Sequence, residues 1–323
     1  MFVRLLKSHD PSNILLIVLF SALLWLKPIM ELGQVPQEFF APFLNNLYGW
    51  ANQHYVISAI ILFLFIVFEA FYMVRLNFQY IFIDKRTYFP ALVYVLWMTL
   101  FIGTAHFAAT VFSNFFILFA IQGILKTQIG RLNIRVVFNS GLFIGFASLF
   151  YWPALLIALP IWFFTLILHG LNWRGLIAQV TGILVPWLFA MTWYYLNDHS
   201  EILNFLTHKL QAERIMPLGK NFTTYKLYLL LGLLLSAFMY HFRNLINKKI
   251  VVRKYYSGMM WYFLVITAGV VLISSAGEAG IATTAIPATL FLSNQYLTTK
   301  RLFFAELNFS LLVAASIVWV YLL

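Results

Sequence analysis

Long apolar runs separated by short polar interruptions repeat along almost the whole chain. A helix that crosses a bilayer needs about 20 apolar residues. On that measure eleven stretches are predicted as membrane-crossing helices, near 13–30, 55–74, 88–104, 108–125, 136–151, 153–169, 176–196, 226–242, 257–275, 280–297 and 303–322. Some interruptions are only a few residues long. Tyr151, Trp152 and Pro153 alone join two runs, and Pro153 suits the first turn of the second. Pro160, Pro186 and Pro287 fall inside runs, where membrane helices tolerate a kink beside a cavity.

Charge orders these runs into a topology. Cytoplasmic loops of membrane proteins collect Lys and Arg. With the N-terminus inside, Arg4 and Lys7, then Arg75, Lys85 and Arg86, then Lys126, Arg131 and Arg135, then Arg174, then Arg243, Lys248, Lys249, Arg253 and Lys254, then Lys300 and Arg301 all fall on the cytoplasmic side. That alternation predicts an all-α, polytopic integral membrane protein of about eleven spans, N-terminus cytoplasmic and C-terminus outside. The first run resembles a signal peptide, but Trp25, Lys27, Pro28 and Met30 stand where small cleavage-site residues belong, so it reads as a retained anchor.

Composition agrees. The 323 residues are 63% hydrophobic and 10% charged, against about 25% charged in a soluble domain. No cysteine is present, which excludes disulfides, thiolate metal ligands and thiol catalysis. The formal charge of +11 sits in short loop clusters, the pattern of membrane topology and not of a nucleic-acid surface.

Two outside segments are long. In 31–54, Phe39, Phe40, Phe43, Leu44, Leu47 and Tyr48 share one helical face, while Glu38, Asn45 and Asn46 fall away from it. This predicts an interfacial helix near 36–53. In 197–225, Ile202, Phe205, Leu206 and Leu210 are spaced similarly, with Lys209, Arg214 and Lys220 among them.

The stretch SGLFIGFASLFYWPALLIALPIWFFTLIL, Ser140 to Leu168, places Gly141 and Gly145 on a small-residue face that permits close helix approach. This hairpin resembles one in the GT-C superfamily of polyprenyl-phosphate-sugar glycosyltransferases, which pair a Gly-rich helix, a short turn and a Pro- and Leu-rich helix. FSNFFILFAIQGILK before it and WRGLIAQVTGILVPWLFAMTWYYL after it resemble the flanking helices. The resemblance covers roughly residues 1–196 and marks the chain as one of an uncharacterised bacterial family with this N-terminal half. It implies a GT-C-like module over 1–196, an outer amphipathic loop over 197–225 and a four-span bundle over 226–323, in the bacterial cytoplasmic (inner) membrane. It departs from the superfamily where an acidic pair is expected in the first outer loop: only isolated Glu31 and Glu38 stand there.

Transfer chemistry needs a base for an acceptor hydroxyl and cations for a phosphate leaving group. By position Glu31 or Glu38 is the candidate catalytic base, and Lys209, Arg214 and Lys220 are candidates for holding a polyprenyl-phosphate carrier at the outer face. The plainer reading makes all five solvated loop charges. Glu69 is the acidic residue placed well within a span, about 9 Å inside the Arg75 end at 1.5 Å per residue. An intramembrane carboxylate is a functional candidate by default, although that depth also permits a loop partner. Asn114, Gln122, Asn139, Gln179 and Asn294 read as helix–helix hydrogen-bonding residues. Glu278 reads as a turn charge.

Two further classes remain open. One is a noncatalytic membrane subunit, scaffold or transporter with membrane-protein partners. The other is a His-ligated iron oxygenase using His54, His106, His199 and His208, although no two of these share the i, i+4 spacing common in such helices. The cofactor stays unassigned, with a divalent metal among the options.

Overall fold

The computed structural model of the protein describes residues 10–30, 45–102, 108–127, 132–170, 172–196, 222–244, 248–272, 277–299 and 302–322. Among these residues the chain is helical and contains no strand. In chain order the helices are α1 (Pro11–Met30), α2 (Asn45–Gln53), α3 (Tyr55–Tyr80), α4 (Phe89–Ile102), α5 (Ala109–Leu125), α6 (Ile134–Phe150), α7 (Ala158–His169), α8 (Trp173–Leu196), α9 (Phe222–Asn244), α10 (Ile250–Leu272), α11 (Gly277–Ala282), α12 (Ala285–Thr298) and α13 (Leu302–Leu322). Each of the eleven apolar stretches overlaps one of these helices or a pair of them. Five segments are long and apolar enough to cross a membrane: Ser12–Met30, Tyr55–Tyr80, Trp152–His169, Trp173–Leu196 and Phe303–Tyr321.

The outward faces explain why so apolar a chain folds. Leu15, Leu19, Leu23 and Leu26 form an exposed stripe on α1, Ile57, Ile60, Leu64 and Phe68 one on α3, and Ile177, Val180, Leu184, Leu188 and Met191 one on α8. Spacings of three and four place each set on a single helix face. Stripes this continuous exceed the apolar patches a soluble protein exposes and suit lipid. The protein is an all-helical membrane protein.

Two short helices occupy the centre. Every residue of α4 is buried, and so is every residue of α12 from Ala285 to Leu297. At 14 residues each they measure about 21 Å, short of the ~30 Å hydrocarbon layer. The described break before α12, at Thr283 and Thr284, is buried, and non-helical backbone at membrane depth is tolerated where protein surrounds it. Helix α4 packs on α1, α3, α11, α12 and α13. Trp25 donates its indole N–H to Thr99 Oγ1 at 3.1 Å, and Ser316 Oγ donates to the Leu96 carbonyl at 3.2 Å, which ties α1 and α13 to this centre.

The small-residue face of α6 packs on α8. A Cβ built on Gly141 would lie 2.2 Å from the Gln179 carbonyl oxygen, and one on Gly182 would lie 2.3 Å from that of Phe138. The two backbones touch, as small-xxx-small packing predicts. Trp187 seals the seam by donating to Ser148 Oγ at 2.9 Å. The turn into α7 differs from the expected regular helix start: Trp152–Ile157 is a 3₁₀ turn, and the α-helix begins at Ala158. Pro160 therefore falls in the first turn of α7, where its missing N–H costs no hydrogen bond.

Candidate functional site

Glu69 lies deeper than the sequence spacing suggests. Arg75 does not end the helix, because α3 continues to Tyr80. At 1.5 Å per residue Glu69 is about 16 Å from the Tyr80 end and about 21 Å from the Tyr55 end. Its side chain is 0% exposed. The hydroxyl of Tyr94 on α4 donates to Glu69 Oε2 at 2.8 Å. Glu69 Oε1 is buried and has no hydrogen-bond partner among the described residues. A buried carboxyl left half-satisfied is costly in hydrocarbon, which makes Glu69 a functional candidate by default.

Beside this pair, the last quarter of the chain contains a broken helix. Pro287 has no N–H for the Thr283 carbonyl one turn earlier, and the chain turns at Thr283–Thr284 between α11 and α12. Thr283 and Thr284 each donate their own hydroxyl backward, to Gly280 O at 2.7 Å and Ile281 O at 2.6 Å. Side chains from other helices then take the two carbonyls at the break. Tyr262 of α10 donates to Thr283 O at 2.8 Å, and Asn114 of α5 donates Nδ2 to Ala282 O at 3.1 Å. Asn114 also lies beside Tyr94, and its Oδ1 has no partner among the described residues. A polar chain thus runs from Glu69 through Tyr94 and Asn114 to the break. Thr110, Ser113, Thr289 and Ser293, on α5 and α12, add buried hydroxyls that also lack partners among the described residues. Buried groups of this kind are normally served by ordered water.

The other sequence candidates divide. Glu31, Glu38, Lys209, Arg214 and Lys220 lie outside the described residues, as do His106, His199 and His208. His54 is exposed in the turn between α2 and α3, its ring 5.5 Å from that of Trp50. Leu47 is exposed on α2, while the rest of the predicted interfacial face lies outside the described side chains. Of the amides expected to join helices, Gln122 bonds Tyr72 of α3, Gln179 donates to Ala158 O at 2.7 Å, and Asn294 accepts from Lys248 at 3.1 Å. Asn139 instead is exposed on α6. Glu278 falls in the short helix α11, not in a turn.

Tyr94 and Tyr262 carry no distinguishing signal in the sequence, where they are two among many aromatic residues. Pro287, three residues after the pair Thr283-Thr284, is the available signal for the break. In the sequence Lys248 reads as a loop charge. Its side chain is 8% exposed, and burial holds its amine below the ordinary lysine value, opposed by Asp84.

Residues 40–322 match the model of a family of unknown function, DUF6427. No curated protein and no solved structure matches the chain.

Proposed function

We propose, for a chain that belongs to the DUF6427 family of unknown function, that it is a transporter-type membrane protein that binds and releases a proton at Glu69 in its core. The observation that carries this is the fully buried, half-satisfied carboxyl near the middle of α3, linked through Tyr94 and Asn114 to a broken helix. Interrupted helices at membrane depth and intramembrane carboxylates are the usual parts of ion and proton pathways. A proton suits this centre better than a metal cation. A hard cation needs several oxygen ligands, yet the carbonyls of Ala282 and Thr283 are taken by Asn114 and Tyr262. In this reading about eleven helices cross the bacterial inner membrane, with the N-terminus cytoplasmic and the C-terminus outside. The alternation of basic loops supports that arrangement.

A hydrophobic carbodiimide, which is protonated by a carboxylic acid inside the membrane and then captured by its carboxylate oxygen, tests the assignment on purified protein. The expected adduct is on Glu69, absent from Glu69→Gln. Reconstituted vesicles carrying Glu69→Gln are expected to lose proton flux at least tenfold. Modification of Glu306, in the first turns of α13, with Glu69 untouched would sink the reading.

A second reading, a GT-C-like protein handling a polyprenyl-phosphate carrier, is favoured by one feature. An open apolar groove of about 410 Å³ runs between α6 and α8, lined by Leu142, Phe146, Val185, Phe189 and Trp193 among others. Its apolar lining suits an isoprenoid chain, and Lys209, Arg214 and Lys220 remain the candidates for the phosphate. Mass spectrometry of lipids retained by gently purified protein tests it, since that reading requires a polyprenyl phosphate among them.

A further inference from the structure

At the end of the bundle where α3 finishes and α10 begins, the chain builds a cleft that the proton reading does not use. It holds about 330 Å³ and is lined by residues including Tyr80, Ile81, Asp84, Lys248, Lys249 and Tyr255. Lys248 is its post. Its ammonium donates to the Phe82 carbonyl at 2.8 Å and to Asn294 Oδ1 at 3.1 Å, and lies 3.8 Å from Asp84 Oδ2. It also sits 4.9 Å from the centre of the Tyr256 ring, and Tyr256 donates to the same Phe82 carbonyl at 2.8 Å. The lip of the cleft is Ile81, a β-branched residue with φ 52° and half its surface exposed. That conformation is rare for such a side chain and clusters at functional sites. It persists here because Asn77 pins both sides of the lip: its carbonyl accepts from Ile81 N–H and its Oδ1 from Ile83 N–H.

With Asp84 neutralised by Lys248, the wall retains one unmatched positive charge, that of exposed Lys249. Tyr80 lines the same cleft, and its hydroxyl is buried and has no hydrogen-bond partner among the described residues. The Tyr80 and Tyr255 rings meet edge to face at 5.8 Å, and Val251 and Val252 complete an apolar side. Arg253 and Lys254 follow in the next turn of α10. One cation, one orphan hydroxyl and an aromatic–aliphatic wall, at the rim of a membrane bundle, match a single anionic group carried on a greasy stem. Basic residues at a membrane surface draw anionic lipid in the same sense.

We propose that this cleft binds the phosphodiester headgroup of an anionic phospholipid, with the phosphate held between Lys249 Nζ and the Tyr80 hydroxyl and the acyl chains against Tyr255 and Val252. Lys248 is a positioning residue that holds the cleft open. The site is independent of Glu69, and either can fail without the other.

The experiment is native mass spectrometry of the full chain from vesicles of mixed phosphatidylglycerol and phosphatidylcholine. Wild-type protein is expected to retain one phosphatidylglycerol at least tenfold in preference to phosphatidylcholine. Lys249→Ala and Tyr80→Phe each reduce that preference severalfold, and Lys126→Ala, in a different loop, leaves it unchanged. Tyr80→Phe keeps the ring and so separates loss of the hydroxyl from loss of fold. Equal retention of the two lipids, or full retention in the Lys249→Ala, Tyr80→Phe double variant, would overturn the site. Displacement of the lipid by millimolar inorganic phosphate would overturn the lipid assignment and point to a soluble phosphate ester.

Discussion

At the scale of single residues, this chain buries polar groups inside the helix bundle and then supplies partners from distant positions. Pro287 withholds the amide that the Thr283 carbonyl would use, and Tyr262 supplies a hydroxyl instead. Removing that hydroxyl leaves the carbonyl buried without a donor. Hydrogen bonds between membrane helices are worth about 1 kcal/mol on average. Tyr262→Phe is therefore expected to destabilise the protein by about that amount, read as a lower thermal midpoint in detergent, and Pro287→Ala to offset part of the loss by restoring the backbone amide. If Tyr262→Phe melted with the wild type, the role assigned to this hydrogen bond would be wrong. Glu69 was legible in the sequence as an acid in an apolar run. Its depth was not, because Arg75 looked like a helix end and is in fact an exposed residue within α3, its guanidinium 5.8 Å from the Tyr72 ring centre.

At the scale of elements, two packing modes divide the fold. Helices α6 and α8 approach through glycine, backbone on backbone, whereas α4 and α12 meet through large buried side chains such as Phe89 and Tyr296, 6.1 Å apart edge to face. The glycine seam has no slack. A Cβ on Gly182 meets backbone at 2.3 Å, and backbone cannot rotate away as a side chain can. Gly182→Val is expected to cost about 3 kcal/mol or more, at the upper end of overpacking penalties, and to lower the folded yield. Gly232→Ala is the matching control, since a Cβ there meets nothing within 4 Å. Equal melting of the two variants would contradict the seam. The close approach of the hairpin was readable from Gly141 and Gly145, but its partner was not, because a small residue permits contact without naming what makes it.

At the scale of the whole molecule, long helices with apolar outward faces pack with shorter ones around α4 and α12, which are buried among them. Short helices leave chain breaks inside the bundle, and those breaks are where Glu69, Tyr94 and Asn114 gather and, at the opposite end of α12, where Lys248 meets Asn294. A cysteine introduced at Leu323 is expected to react with membrane-impermeant maleimide in intact cells, and one introduced at Lys126 to react only after lysis. The reverse pattern would refute the proposed orientation.

Sequence alone determined that this chain belongs in a bilayer and is helical, because hydrophobic length and the exclusion of charge are local properties summed along the chain. It also determined where most helices lie and that Gly141 and Gly145 face a close neighbour. Tertiary structure decided which apolar helices face lipid and which face protein. Both kinds read as the same run of Leu, Phe and Val, so α4 and α8 could not be told apart. It also decided which polar groups meet. Tyr94 with Glu69, Tyr262 with Thr283 and Lys248 with Phe82 are separated by 25, 21 and 166 residues, and no periodicity within one helix encodes a hydrogen bond made to another.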